Sequence, residues 1–377
     1  MNHTGQVKKE KIFFPNLDGL RFLSFFSVYL FHVFLLLFDK YHRSGLSYKL
    51  CRFLFQNGEI GVNFFFVLSG FLITYLLVEE KRFTGKIHVG KFYIRRILRI
   101  WPLFYLVVFG FLIYPLVKGQ MGTEIYPSAH PWMYLVFLNN FDFLRHGAPA
   151  FISVLWSVAI EEQFYLLWPV FLFILPVNRY KWLFYSVILL TFLFRMLHHG
   201  EPRVLQFHTF AVIGDMALGG LLAYYSIFSE SFRKTIKQLP RPFIILVYLL
   251  AILVFLFRQY IFLDYMMVFE RIFIGVIFGL IILEQNFSDH SVFKMSQFKW
   301  ISKLGIYTYG LYCLHVLALN LAEFGFVKLG FDMKKASTYG FIGITGLVFS
   351  IVLALLSYHL YESKFLQLKN KFAFIVR

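Results

Sequence analysis

The chain has 377 residues, of which 59% are hydrophobic, 21% aromatic and only 15% charged, with a mean hydropathy of +0.67. A soluble domain carries about 25% charged residues, so that class is excluded. Long apolar runs point instead to an all-α fold, a polytopic integral membrane bundle. The net charge of +17 fits loops held near anionic lipid and requires no nucleic acid. Cys51 and Cys313 provide neither a disulfide framework nor metal-ligand spacing, and no metal and no bound cofactor are expected.

Hydropathy predicts about ten transmembrane helices, at 18–38, 58–78, 100–117, 163–177, 182–197, 208–227, 242–258, 263–283, 304–322 and 338–360. A shorter apolar stretch, 132–144, is expected to lie in the interface or to re-enter. The first stretch runs on to Phe38 and ends in "DKYHR" without a small-residue cleavage site, so it is read as a span and not as a cleaved signal. No repeat and no linker divides the chain. It reads as one membrane domain, 1–377, with a leading segment 1–16 and a tail 361–377. With both termini cytoplasmic, about 23 Lys and Arg fall inside and about 11 outside, which satisfies the positive-inside rule.

The first span, "LDGLRFLSFFSVYLFH" (Leu17 to His32), holds an Asp, an Arg and a His. A charge at mid-bilayer costs roughly 2.5–3.5 kcal/mol even on lenient scales, so such residues have partners or tasks. Arg21 and His32 are separated by three turns, which places them on one helix face roughly 16 Å apart along the axis. Asp18 lies one turn before Arg21 and can pair with it, which makes Arg21 an interfacial anchor or a functional cation. His32 lies deeper and titrates near neutrality, which suits a general base.

Further along, "GEIGVNFFFVLSGFLITYLL" (Gly58 to Leu77) inserts Gly58, Gly61, Ser69 and Gly70 among large apolar residues. Small residues let helices approach closely, and Asn63 is a candidate for a cross-helix bond. In "KFYIRRILRIWPLFY" (Lys91 to Tyr105), Arg95, Arg96 and Arg99 cluster on one side of a helix entering the membrane. Such a cluster suits phosphate, because each guanidinium can bond two oxygens. In "LWSVAIEEQFYLLWP" (Leu155 to Pro169), Glu161 and Glu162 sit at the outer mouth of a span, with Tyr165 one turn on. There a carboxylate can orient the His32 imidazole or bind a sugar hydroxyl. "YTYGLYCLHVL" (Tyr307 to Leu317) adds His315, with Tyr309 and Tyr312 near its face. Asp215 is another buried acid, and Glu362 in "SYHLYESKF" can meet a loop arginine.

Taken in order, these segments resemble the membrane-bound acyltransferase family 3 over almost the whole chain. Ser363 and Lys364 stand where that family usually carries a proline after its terminal Glu. The resemblance implies a membrane O-acyltransferase that takes an acyl group, most often acetyl, from cytoplasmic acyl-CoA. The acceptor it implies is a hydroxyl of an extracytoplasmic or lipid-linked carbohydrate, such as a polysaccharide or lipopolysaccharide. It maps Arg21, His32, Arg96, Arg99 and Glu161, with His315 and Tyr312, onto the family's motif residues. Together with the spacing above, His32, Glu161 and Arg21 are expected to be catalytic, Arg95, Arg96 and Arg99 to bind acyl-CoA, and Glu162, Tyr165, Tyr312 and His315 to bind substrate. Acyl-CoA, a carbohydrate and membrane lipid are the expected partners, and a bacterial inner membrane the expected location. The short tail implies the stand-alone membrane type. A transporter or flippase for a glycan or lipid is the rival reading, since buried charges are equally expected there.

Overall fold

A computed structural model describes residues 14–41, 44–117, 130–147, 150–333 and 335–372, except for the side chains of 111–117, 150 and 151. The outermost parts of the two expected terminal segments, 1–13 and 373–377, lie outside the described residues. The elements that place the site begin with α1 (Pro15–Val33), α2 (Ile60–Thr84) and α3 (Val89–Val117). Two short helices follow, α4 (Pro131–Leu135) and α5 (Asn139–His146), and then α6 (Leu155–Ile174), α7 (Tyr180–Leu197) and α8 (Thr209–Phe228). The chain continues through α9 (Arg241–Ile261), α10 (Met267–Phe287), α11 (Thr308–Lys328), α12 (Ala336–Ser357) and α13 (Ser363–Asn370). No strand occurs among the described residues.

Nine helical segments of the described residues are long and apolar enough to cross a membrane. The tenth predicted span, 100–117, is the second half of α3, whose last side chains lie outside the described residues. Two predicted starts move by more than two turns: α3 begins at Val89 and not at 100, and α6 at Leu155 and not at 163. Glu161 and Glu162 are therefore nearly two turns inside a helix, not at its mouth. The 132–144 stretch becomes α4 and α5, joined by a turn at Phe137 with a left-handed φ of 57°.

Packing follows the small residues. A side-chain carbon at Gly70 of α2 would fall 1.9 Å from the Met216 carbonyl oxygen of α8. One at Gly219 of α8 would fall 2.0 Å from the Val67 carbonyl of α2. The two backbones thus touch at reciprocal glycines, as close membrane crossings require. Asn63 donates to Asp215 Oδ2 across the same interface at 3.4 Å, and Asp215 is held by Arg271 of α10 at 2.7 Å. That pair is buried on both sides, so Asp215 serves the α2–α8–α10 junction. The apolar stretches of the segments containing α9, α7 and α12 are only 17%, 22% and 28% buried, against 72% for the segment containing α2. These three form the outer wall, and α1, α2, α6, α8, α10 and α11 the interior.

Candidate active site

A cavity of about 320 Å³ opens between α1, α2, α3, α6 and α11, within the size range of small-ligand sites. Its lining joins residues far apart in sequence: Arg21, Arg95, Arg96, Arg99, Glu161, Tyr165 and Tyr312 all face it. Seven of the ten expected site residues thus share one space, while His32, Glu162 and His315 do not line it.

The arginines divide. Arg95 is already committed: its guanidinium pairs with the buried Glu80 at 2.8 Å and donates to the Phe372 carbonyl at 2.9 Å. It therefore faces the cavity as one half of an ion pair. Arg96 is different. Its guanidinium carbon lies 5.5 Å from the Phe92 ring centre and 5.6 Å from that of Tyr165, and its Nε is buried without a hydrogen-bond acceptor among the described residues. A cation held on aromatic faces with an unused donor has the capacity to receive an anion. Arg99 faces the cavity within electrostatic reach of Glu362, whose carboxylate accepts from Ser357 Oγ at 2.7 Å. Arg21 forms the expected pair with Asp18 at 2.6 Å.

The carboxylates also divide. Glu161 accepts from Tyr165 Oη at 3.3 Å, and Tyr165 in turn bonds Ser69 of α2. Glu162 accepts from Trp101 Nε1 at 2.9 Å and its other oxygen is buried with no partner among the described residues; it does not line the cavity. Neither carboxylate bonds His32, so the expected Glu161–His32 contact is replaced by another.

His32 meets His315. Its Nδ1 lies 3.1 Å from His315 Nε2 and 3.0 Å from the Val28 carbonyl, with the ring centres 4.9 Å apart. His315 Nδ1 lies 2.7 Å from the Tyr312 carbonyl. A carbonyl oxygen can only accept, so each imidazole carries its proton on Nδ1 when both are neutral. His315 Nε2 then accepts from His32 Nδ1–H, and the Nε2 lone pair of His32 is left bare. That tautomer is the one a general base needs. Backbone geometry changes here too, with α1 passing into a π-helical segment at Phe34–Phe38, a feature common near functional positions.

Tyr312 links the two regions. It lines the cavity, its hydroxyl bonds Ser157 Oγ at 2.8 Å, and its ring centre lies 5.9 Å from that of His315. Sequence reasoning missed Glu80, Ser69 and Ser157 as members of the cavity wall. Glu80 sits in the charged pair "EE" that ends an apolar run, a signal that a partner was due. The two serines carry no signal apart from their small size.

A family model described as an acyltransferase domain matches residues 14–358. The chain is 32% identical over 169 residues to the peptidoglycan O-acetyltransferase OatA of Listeria monocytogenes, covering 42% of this chain and 24% of that protein. The same identity and coverage hold for a Bacillus subtilis protein named "Putative peptidoglycan O-acetyltransferase YrhL". A Staphylococcus aureus protein named "Putative O-acetyltransferase" is 31% identical over 243 residues, covering 59% of this chain and 37% of the other. The matches thus span well under half the length of these relatives. No solved structure matches.

Proposed function

Because the chain belongs to the family defined by that acyltransferase domain and is a multi-pass membrane protein, we propose that it is an O-acyltransferase working across the bilayer. It moves an acyl group, acetyl by the names of its relatives, from acyl-CoA to a carbohydrate hydroxyl. A peptidoglycan-type glycan is the first acceptor to test, since two relatives are named for it. The positive-inside count supports a cytoplasmic arginine end, together with cytoplasmic termini, and a bacterial inner membrane is the matching location.

The observation that carries this reading is the cavity lined by Arg96 and Arg99 and by Tyr312, which packs against the His315–His32 pair. In the proposed reaction the donor phosphates rest on Arg96 and Arg99, and the pantetheine arm fills the cavity toward Tyr312 and Ser157. The acceptor hydroxyl arrives from the opposite end and gives its proton to His32 Nε2. Its oxygen bonds the thioester carbonyl carbon, the carbon–sulfur bond breaks, and the thiolate leaves as CoA after taking that proton. General-base help of this kind is worth about 10²–10⁴ in rate. The imidazolium formed on His32 is stabilised by its charge-assisted bond to His315. Glu161, beside Arg96 and Tyr165, completes the polar wall along the donor path.

Mass spectrometry of cell-wall and surface glycans tests this. Cells expressing the protein should carry acyl-bearing sugars that are absent from cells without the gene and from cells expressing His32→Ala. Identical glycans in all three would overturn the reading. Movement of a glycan or lipid by purified protein with no thiol release would favour transport instead.

A further inference from the structure

We propose that His130, Asp142 and His146 form a binding site for a divalent transition metal, with zinc the ion that fits best, at the end of the bundle opposite the arginines. The residues lie on the short helices between the end of α3 and the start of α6. His130 immediately precedes α4, while Asp142 and His146 are spaced i,i+4 on α5 and share its face. Sequence spacing did not announce the site: His130 is twelve residues from Asp142 and separated from it by the Phe137 turn.

The donor set is compact. Asp142 Oδ1 lies 3.2 Å from His130 Nδ1 and 3.0 Å from His146 Nδ1. Each of the three residues offers one ligand atom, all within 4.8 Å of one another. A tetrahedral zinc with bonds of about 2.0–2.1 Å holds its ligand atoms about 3.3 Å apart, so two of the three separations nearly match. The carboxylate is fully buried and fixed by the His130 backbone N–H at 3.2 and 3.3 Å. The imidazoles are more accessible, at 50% and 29% exposure. A buried anion with two imidazoles facing water therefore has a solvent route for the ion. Two nitrogens and one oxygen suit zinc better than the all-oxygen ions calcium and magnesium, and three protein ligands leave a fourth position for water.

The site is separate from the proposed catalytic cavity, since none of the three residues lines it. Its reach is mechanical. On α5, Asn140 donates to the Thr209 hydroxyl at 3.1 Å and accepts from Gln163 of α6 at 2.9 Å, and Gln163 also donates to the Phe137 carbonyl at 2.7 Å. An ion tying His130 to α5 would lock this cap onto α6 and α8.

The test uses the full chain, purified with a tag that contains no histidine, stripped by chelator and dialysed against zinc chloride. Elemental analysis should find one zinc per chain retained by the wild type and lost in a His130→Gln/His146→Gln double variant. Weak binding at the other histidines is common to both proteins and cancels. Cobalt chloride in place of zinc should give tetrahedral visible bands only in the wild type. Should the double variant not fold, zinc should still raise the melting temperature of the stripped wild type. Equal zinc retention in wild type and variant, or no retention and no thermal shift in the wild type, would overturn the proposal.

Discussion

Replacing His315 tests whether it holds His32 as a base. Asn at 315 keeps a donor in place for the Tyr312 carbonyl but removes the Nε2 acceptor that His32 Nδ1 meets at 3.1 Å. His32 then retains only Val28 as a partner. A neutral hydrogen bond is worth about 0.5–1.5 kcal/mol and one to a charged group about 1.5–3 kcal/mol. The bond passes from the first class to the second as His32 takes a proton, so its loss raises the barrier by about 1–2 kcal/mol. That converts to a roughly 5- to 30-fold fall in kcat. His315 does not line the cavity, so the KM for acyl-CoA should stay unchanged. His315→Gln, whose amide oxygen reaches the Nε2 position, should recover part of the loss. The assay is CoA thiol release by protein in detergent or vesicles, at varied donor concentration. An unchanged kcat in a well-folded His315→Asn protein would refute the reasoning, as would a loss confined to KM.

The arginine cluster should separate by function. Arg96→Ala should raise the KM for acyl-CoA roughly tenfold or more, the loss of one charge-assisted phosphate contact, whereas Arg95→Ala should leave KM nearly unchanged. It should instead lower stability by about 3 kcal/mol, because buried Glu80 loses its guanidinium and keeps only His88; kinetics and thermal melting together check both. At the α2–α8 crossing, Gly70→Ala or Gly219→Ala should cost about 1–3 kcal/mol by overpacking. Gly340→Ala, where nothing lies within 4 Å, should be neutral or up to about 1 kcal/mol stabilising; melting temperatures decide. Asp215→Ala should destabilise by about 3–5 kcal/mol by leaving Arg271 buried without its carboxylate, while the acyl-CoA KM of protein that folds stays near wild type.

Much of this was legible in the chain itself, because local rules act over a few residues. The Asp18–Arg21 pair follows from i,i+3 spacing, and the close crossing at Gly70 from a small residue amid large ones. The spans follow from hydropathy, apart from the starts of α3 and α6, in the second of which Glu161 and Glu162 interrupt the apolar run without breaking the helix. What could not be read was which helix faces which. His32 finds His315 across 283 positions, and no periodicity in either segment names the other. The pairing of Arg95 was hidden for a similar reason. Its claim by Glu80 depends on the chain turning back after α2, at Gly85 with φ 79°, and bringing α3 alongside.

The central claim is that His32 is the base for acyl transfer, and its most direct test is the His32→Ala protein reconstituted in vesicles with acyl-CoA and a glycan acceptor. Initial rates of thiol release should fall by about 10²–10⁴ relative to wild type, with insertion and melting temperature preserved. A correctly inserted His32→Ala protein releasing thiol at the wild-type rate, with acylated acceptor accumulating in step, would contradict the account.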